Sequence, residues 1–353
     1  MPVSGEAAVK STAAPWAIAG NRINHFDAIR LILAVLVVLT HCYDVTRTGA
    51  VEPLAQWTRS QLQFGSFAVN CFFTISGFLI AASWEQGRGL ADFLRKRAFR
   101  IYPGFLAACV VCALVLAPLA TGDPIAYLKQ IDLPRFAMRA AMLRTMDVPE
   151  TFPANPHHGI NLSLWTIAYE FLCYLMVATF GLLGILRRRW VVAGLFAGAV
   201  VALALWPTNR PGALSDLVRL TTYFLGGMCF HLYRDRIPYS RGVLFAGLAV
   251  LAGTALLGKG LAIAQATIGT YVLFHLAFLP ARPIAAARHG DLSYGVYLYG
   301  FPVQQWVVHV LGASTPPPVV FVASLVPVAV LALLSWKCVE RPFLMRARSP
   351  RSA

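Results

Sequence analysis

The chain has 353 residues, of which 58% are hydrophobic and only 13% charged, and its formal net charge is +15. Globular chains are nearer half apolar and one quarter charged, so a soluble domain is excluded. Long uncharged runs recur from end to end and describe an all-α integral membrane protein, a bundle of about ten transmembrane helices. No aromatic-interleaved basic domain remains once those runs are removed, which excludes a nucleic-acid partner.

Residues 1–25 are polar and Ala-rich, without the short apolar stretch of a signal peptide, and are expected to form a cytoplasmic segment. Ten spans follow between residues 26 and 337: Phe26–Tyr43, Phe64–Ser83, Ala98–Leu119, Leu164–Leu186, Trp190–Trp206, Leu217–Leu232, Val243–Leu257, Leu261–Leu279, Leu292–Leu311 and Val319–Trp336. Gly258–Gly260 alone separates the seventh from the eighth, so a tight turn or one broken helix is expected there. Residues 338–353 read as a short basic tail. The connection Ala120–Ser163 is the one long loop, with five prolines, and loops of this length are often lids or binding segments. His157 and His158 within it read as a surface pair, and no metal site is expected. The seven cysteines lie in or beside apolar spans, and Cys109 and Cys112 read as small packing residues.

Twenty of the 30 Lys and Arg fall on one side of this topology, nine on the other, and Arg30 lies inside the first span. Basic loops face the cytoplasm, so both termini are expected there and the long loop outside.

The first span reads FDAIRLILAVLVVLTHCY and carries Arg30 and His41, separated by ten uncharged residues. They lie roughly 16 Å apart along the axis and point in similar directions, since eleven residues make close to three turns. Ionisable groups at bilayer depth cost about 2.5–3.5 kcal/mol, so function is their default explanation. Asp27, one turn before Arg30, is the expected partner of that cation. Counting from the span ends places His41 and Glu170 at one depth, with Asn70 and Gln304 near it. A carboxylate commonly fixes the tautomer and raises the basicity of a histidine. The two are therefore expected to form a pair. Arg97 and Arg100 share a face at the cytoplasmic mouth of the third span. Ser76 and Gly77 read as close helix packing, and His275 as structural.

Five stretches in order resemble the membrane acyltransferase-3 family, bacterial enzymes that O-acylate sugars and other acceptors. They are the Arg30–His41 spacing, VNCFFTISGFLIAAS at Val69–Ser83, RAFRIYPGF at Arg97–Phe105, SLWTIAYEFLCY at Ser163–Tyr174, and DLSYGVYLYGFPVQQ with the later VERPF. The resemblance covers essentially the whole chain. It departs at Leu31, where many members have Gly, and before Pro302, where many have His and this chain has Phe301.

The resemblance implies transfer of an acyl group, by family default acetyl, from cytoplasmic acyl-CoA to a hydroxyl of an extracytoplasmic or lipid-linked glycan such as exopolysaccharide. It places the protein in the bacterial inner membrane. His41 would be the general base and Glu170 its orienting partner, or His41 would carry a transient acyl group. Arg30, Arg97 and Arg100 would hold the donor phosphates, a role that suits guanidinium forks. Asn70, Trp165, Tyr294 and Gln304 would contact the acceptor or line the site. Acyl-CoA is then a cosubstrate and no tightly bound cofactor is expected; the oligomeric state is not readable. A transporter or flippase for a glycan or small anionic solute also explains intramembrane charges, although no inverted repeat relates the two halves. A receptor or scaffold leaves Arg30 and His41 together unexplained.

Overall fold

A computed structural model of the chain describes residues 14–16, 24–206, 212–280 and 291–348. Most of the expected N-terminal segment and the last five residues lie outside the described residues. Among those described every regular element is helical, and a helix stands at each of the ten predicted positions. These are α1 (Phe26–Asp44), α2 (Phe64–Glu85), α3 (Leu90–Val111), α4 (Trp165–Leu182), α5 (Arg189–Leu205), α6 (Ala213–Leu232), α7 (Arg241–Leu257), α8 (Leu261–Ala266, resumed at Ile268–Ala277), α9 (Ser293–Leu311) and α10 (Pro317–Ser335). Among the described residues five helices are long and apolar enough to cross a membrane: α1, α2, α3 with its continuation to Leu119, α4, and α10 with its continuation to Ala347. The protein is an integral membrane protein.

Of the five candidate spans α2 is the most enclosed, and it runs antiparallel to α1. Its Gly65 N–H donates to the Thr40 hydroxyl at 2.6 Å, and Phe78 near its other end meets Phe26 at a ring separation of 5.9 Å. On its other side it crosses α6 at backbone contact. A Cβ on Gly77 would run into the Phe224 carbonyl, and one on Gly227 into that of Thr74. Small residues permit this approach, which is how helices associate where lipid removes the hydrophobic drive. Gly77 therefore packs as expected.

Gly258 and Gly260 both have positive φ and make the α7–α8 connection a tight turn. Glycine takes that conformation without the Cβ penalty. The tenth span does not end at Trp336. Through a wider turn at Trp336–Glu340, α10 continues into Arg341–Arg348.

The long connection between α3 and α4 includes two short helices, Pro124–Lys129 and Leu133–Ala141, each capped by an aspartate. It then descends into the bundle along α9. The Asn155 amide donates to the Gln305 carbonyl (2.9 Å), Gln305 donates to the carbonyls of His157 and Gly159, and Asn161 donates to the Leu298 carbonyl (2.8 Å). The Tyr297 hydroxyl closes the series on the Ser163 carbonyl. From Gln305 to Tyr297 is eight residues, or about 12 Å of depth. Non-helical backbone survives at membrane depth where protein satisfies its polar groups, and α9 does that here.

Candidate active site

His41 lies in the last turn of α1, at its C-terminal end. Its Nδ1 is 3.1 Å from Oδ2 of Asp44, one turn on, and its ring stands edge-on to Phe301 at 5.1 Å. Phe301 occupies the position before Pro302 at which the family resemblance departs. Gln304 lies at the same level, fully buried, and donates to the Val38 carbonyl and to Cys42 Sγ. Beside them Glu52, buried between α1 and α2, accepts from the Phe64 N–H and the Thr40 hydroxyl. Burial raises its carboxyl above the usual value, against those two bonds, which lower it.

Glu170 is elsewhere. It accepts from the Tyr174 hydroxyl at 2.6 Å and the Ser76 hydroxyl at 3.2 Å. With Gly65 level with Thr40 on the antiparallel α1–α2 pair, Ser76 is eleven residues down α2 and falls level with Ile29 and Arg30. Glu170 is therefore roughly 16 Å nearer the N-terminal end of α1 than His41. The expected His41–Glu170 pair is not formed; the carboxylate within hydrogen-bond distance of His41 is that of Asp44. The depth count fails because it starts α4 at the outer surface. The descending loop begins that helix about 12 Å lower.

Glu170 instead lines a cavity of about 820 Å³ enclosed by α1, α2, α3, α4, α9 and the α10 extension. Arg30, Arg97, Arg100 and Tyr294 line it too, together with Asp27, Asp291, and Leu344 and Ala347 beyond the expected end of α10. Its lining on α2 runs from Val69 to Ser83, fourteen residues or about 21 Å. By the same register Val69 is level with Leu36, about 8 Å below His41. Part of the lining is apolar (Phe72, Phe73, Leu79, Ile80). Among these side chains stand the hydroxyls of Ser76, Thr166 and Tyr297 and the Glu170 carboxylate.

The partner of Arg30 is Asp291 at 2.6 Å, not Asp27. The same Asp291 oxygen also accepts from Arg100, while its other oxygen accepts from Ser293. Burial alone would raise this carboxyl, but the two guanidiniums hold it well below the usual carboxylate range. Arg100 lies over the Tyr294 ring (5.5 Å), and the Tyr294 hydroxyl donates to the Ile101 carbonyl. Arg97 has a different setting: its NH2 is 3.5 Å from the Ser83 hydroxyl, its guanidinium faces the rings of Phe93 and Tyr174, and its Nε has no partner.

Asn70 and Trp165 belong to a separate polar cluster. Asn70 accepts from Arg219 (3.0 Å) and donates to Gln265 (3.0 Å), and Arg219 faces the Trp165 ring at 6.0 Å. Arg219 is the seventh residue of α6 and also pairs with Asp216. Asp291, to which the sequence alone assigns no role, stands at the head of the quoted DLSYG stretch. Asp44 is within reach of an i,i+3 argument from His41. Ser76, expected to serve packing, is a hydrogen-bond donor on the cavity wall. His158 is 3.3 Å from Glu150, a carboxylate that the linear sequence does not pair with it.

A family profile described as an acyltransferase domain matches residues 23–337. The chain belongs to the acyltransferase-3 family. It is 30% identical to an O-acetyl transferase of Shigella phage Sf6 over 345 residues, covering 94% of this chain and 98% of that protein. It is 28% identical to nodulation protein 10 of Rhizobium leguminosarum bv. viciae, covering 92% and 93%. It is also 28% identical to the exopolysaccharide production protein ExoZ of Rhizobium meliloti, covering 84% and 95%. No solved structure matches the chain. The protein is thus a membrane O-acyltransferase.

Proposed function

We propose that this acyltransferase moves an acetyl group from acetyl-CoA, taken up from the cytoplasm, to a hydroxyl of a glycan on the outer side of the inner membrane. The observation that carries the reading is the cavity, with guanidiniums at one end and its other end about 8 Å short of His41. The CoA phosphates sit at the arginine-rich end. The pantetheine arm extends along α2, its amides facing Glu170 and the neighbouring hydroxyls, and brings the thioester toward His41. The acceptor arrives from the outer side, where the descending loop shapes the approach.

His41 then acts as general base. With its Nδ1–H held by Asp44, Nε2 carries the lone pair that takes the acceptor proton. The hydroxyl oxygen forms the ester bond to the thioester carbonyl carbon, the carbon–sulfur bond breaks, and the imidazolium returns its proton to the CoA sulfur. Charge balance closes without a further reactant. The names of the relatives, an O-acetyl transferase and an exopolysaccharide production protein, support the acetyl donor and the glycan acceptor.

The test is thiol release from acetyl-CoA by purified protein, with and without added surface glycan. Release that depends on the glycan, with acetyl recovered on it, is the expected result. A protein that moves glycan across vesicles and releases no thiol is a transporter and overturns the reading.

A further inference from the structure

The descending loop brings a second histidine, His157, close to the first. Its backbone is pinned on both sides. The Gln305 amide donates to the His157 carbonyl at 2.6 Å and to that of Gly159 at 2.8 Å. The Asn155 amide donates to the Gln305 carbonyl, and the Thr151 N–H to the His158 carbonyl at 3.0 Å. Gln305, Asn155 and Thr151 are all buried. One turn before Gln305 on α9, the buried Phe301 ring meets the His157 ring at 6.4 Å and the His41 ring at 5.1 Å. Two imidazoles therefore stand against one phenyl ring. Asp44 lies within hydrogen-bond distance of His41, and Glu150 within that of His158. The half-buried His157 ring has no hydrogen-bond partner among the described residues. The frame that fixes this residue uses only its carbonyl. Folding asks nothing of the imidazole beyond contact with Phe301, which an apolar side chain would make as well.

We propose that His157 is an acceptor-binding residue, whose imidazole hydrogen-bonds a glycan hydroxyl neighbouring the one that gives its proton to His41. The proposal rests on the acceptor reading above and deepens it. A neutral imidazole carries one N–H donor and one acceptor lone pair, and a sugar hydroxyl matches either. Because the loop backbone is already fixed, little ordering is left to be done when the sugar binds. A sugar held at a second point beside the base also presents its reacting hydroxyl in one orientation.

The experiment is acetyl transfer by the full-length protein in detergent to surface glycan stripped of its esters with mild alkali. Glycan and acetyl-CoA are varied in turn, and the thermal unfolding of each variant is recorded. His157→Ala and His157→Phe should each raise the apparent KM for glycan by about three- to tenfold, the usual effect of one hydrogen bond. Their KM for acetyl-CoA should stay within about twofold and their melting should not change. His157→Gln keeps a donor and an acceptor, and should recover most of the affinity for glycan. His157→Phe keeps the ring contact with Phe301. A normal glycan KM in that variant would show that His157 only packs, and overturns the proposal while acetyl transfer stands. Lost turnover at saturating glycan with an unchanged KM overturns it too, by placing His157 in the chemistry and not in binding. If His157→Ala does not fold, the Phe and Gln variants decide. If the unsubstituted protein transfers no acetyl to glycan, the acceptor reading falls and the proposal with it.

Discussion

At the scale of single residues, the histidine and its carboxylate are neighbours on one helix. Asp44 follows His41 by three positions, a spacing that brings side chains together on a helix surface. Counting depth along the spans favours a carboxylate on another helix instead. His41→Ala should lower transfer by about 10²–10⁴-fold, the usual worth of a general base, with CoA binding retained. Asp44→Asn should lower it by about tenfold or more by leaving the imidazole unheld. Glu170→Gln should act mainly on the apparent KM for acetyl-CoA. Because Glu170 and His41 sit roughly 16 Å apart in depth, steady-state kinetics of the four proteins of a double-mutant cycle should show nearly additive losses.

Asp291 gives a pH signature. Its folded pKa is below the unfolded value of about 3.9, so its ion pairs stabilise the fold above about pH 4 and are lost as pH falls through the folded value. Asp291→Asn should cost about 3 kcal/mol near neutrality, since it leaves two cations without their partner. The gap in melting temperature between it and the unsubstituted protein should narrow as pH is lowered toward about 3. A gap that stays constant would show that the pairs add nothing to stability. Arg30 and Asp291 are 261 residues apart, and no local pattern reveals a partner at that distance.

At the scale of elements, the helices were legible because runs of apolar residues in a membrane have few alternatives to helix. Their depths were not. An apolar run fixes where a helix starts in the sequence, but α4 starts low because Asn155, Asn161 and Ser163 spend their side chains on α9. The end of α10 was equally hidden. Lys337, Glu340 and Arg341 look like a membrane boundary, yet the wider turn at Trp336–Glu340 buries Glu340 against Ser335, and the helix continues to Arg348. Turns of this kind are frequent at functional sites, and here one carries Leu344 and Ala347 to the cavity wall. The α2–α6 crossing provides a test. Gly227→Leu should destabilise the protein by about 3 kcal/mol or more, because its Cβ meets the fixed Thr74 carbonyl. Gly253→Leu on α7, where a Cβ meets nothing, should stay within about 0.5 kcal/mol. Unfolding in denaturing detergent would measure both.

For the whole molecule, the distribution of Lys and Arg predicts cytoplasmic termini and an outer Ala120–Ser163 loop. A cysteine probe at Asp147 should be labelled by an impermeant reagent from outside, and one at Arg188 only after the membrane is opened. The reverse would invert the direction of donor uptake. In the proposed reading, this topology brings the donor to the cavity from one side and the acceptor from the other, with His41 as the base between them. The most direct measurement is acetyl transfer from labelled acetyl-CoA to surface glycan by purified protein in vesicles, comparing the unsubstituted chain with His41→Ala. The unsubstituted chain should label the glycan, and His41→Ala, folded and still binding CoA, should not. Near-normal labelling by such a His41→Ala protein would contradict His41 as the base.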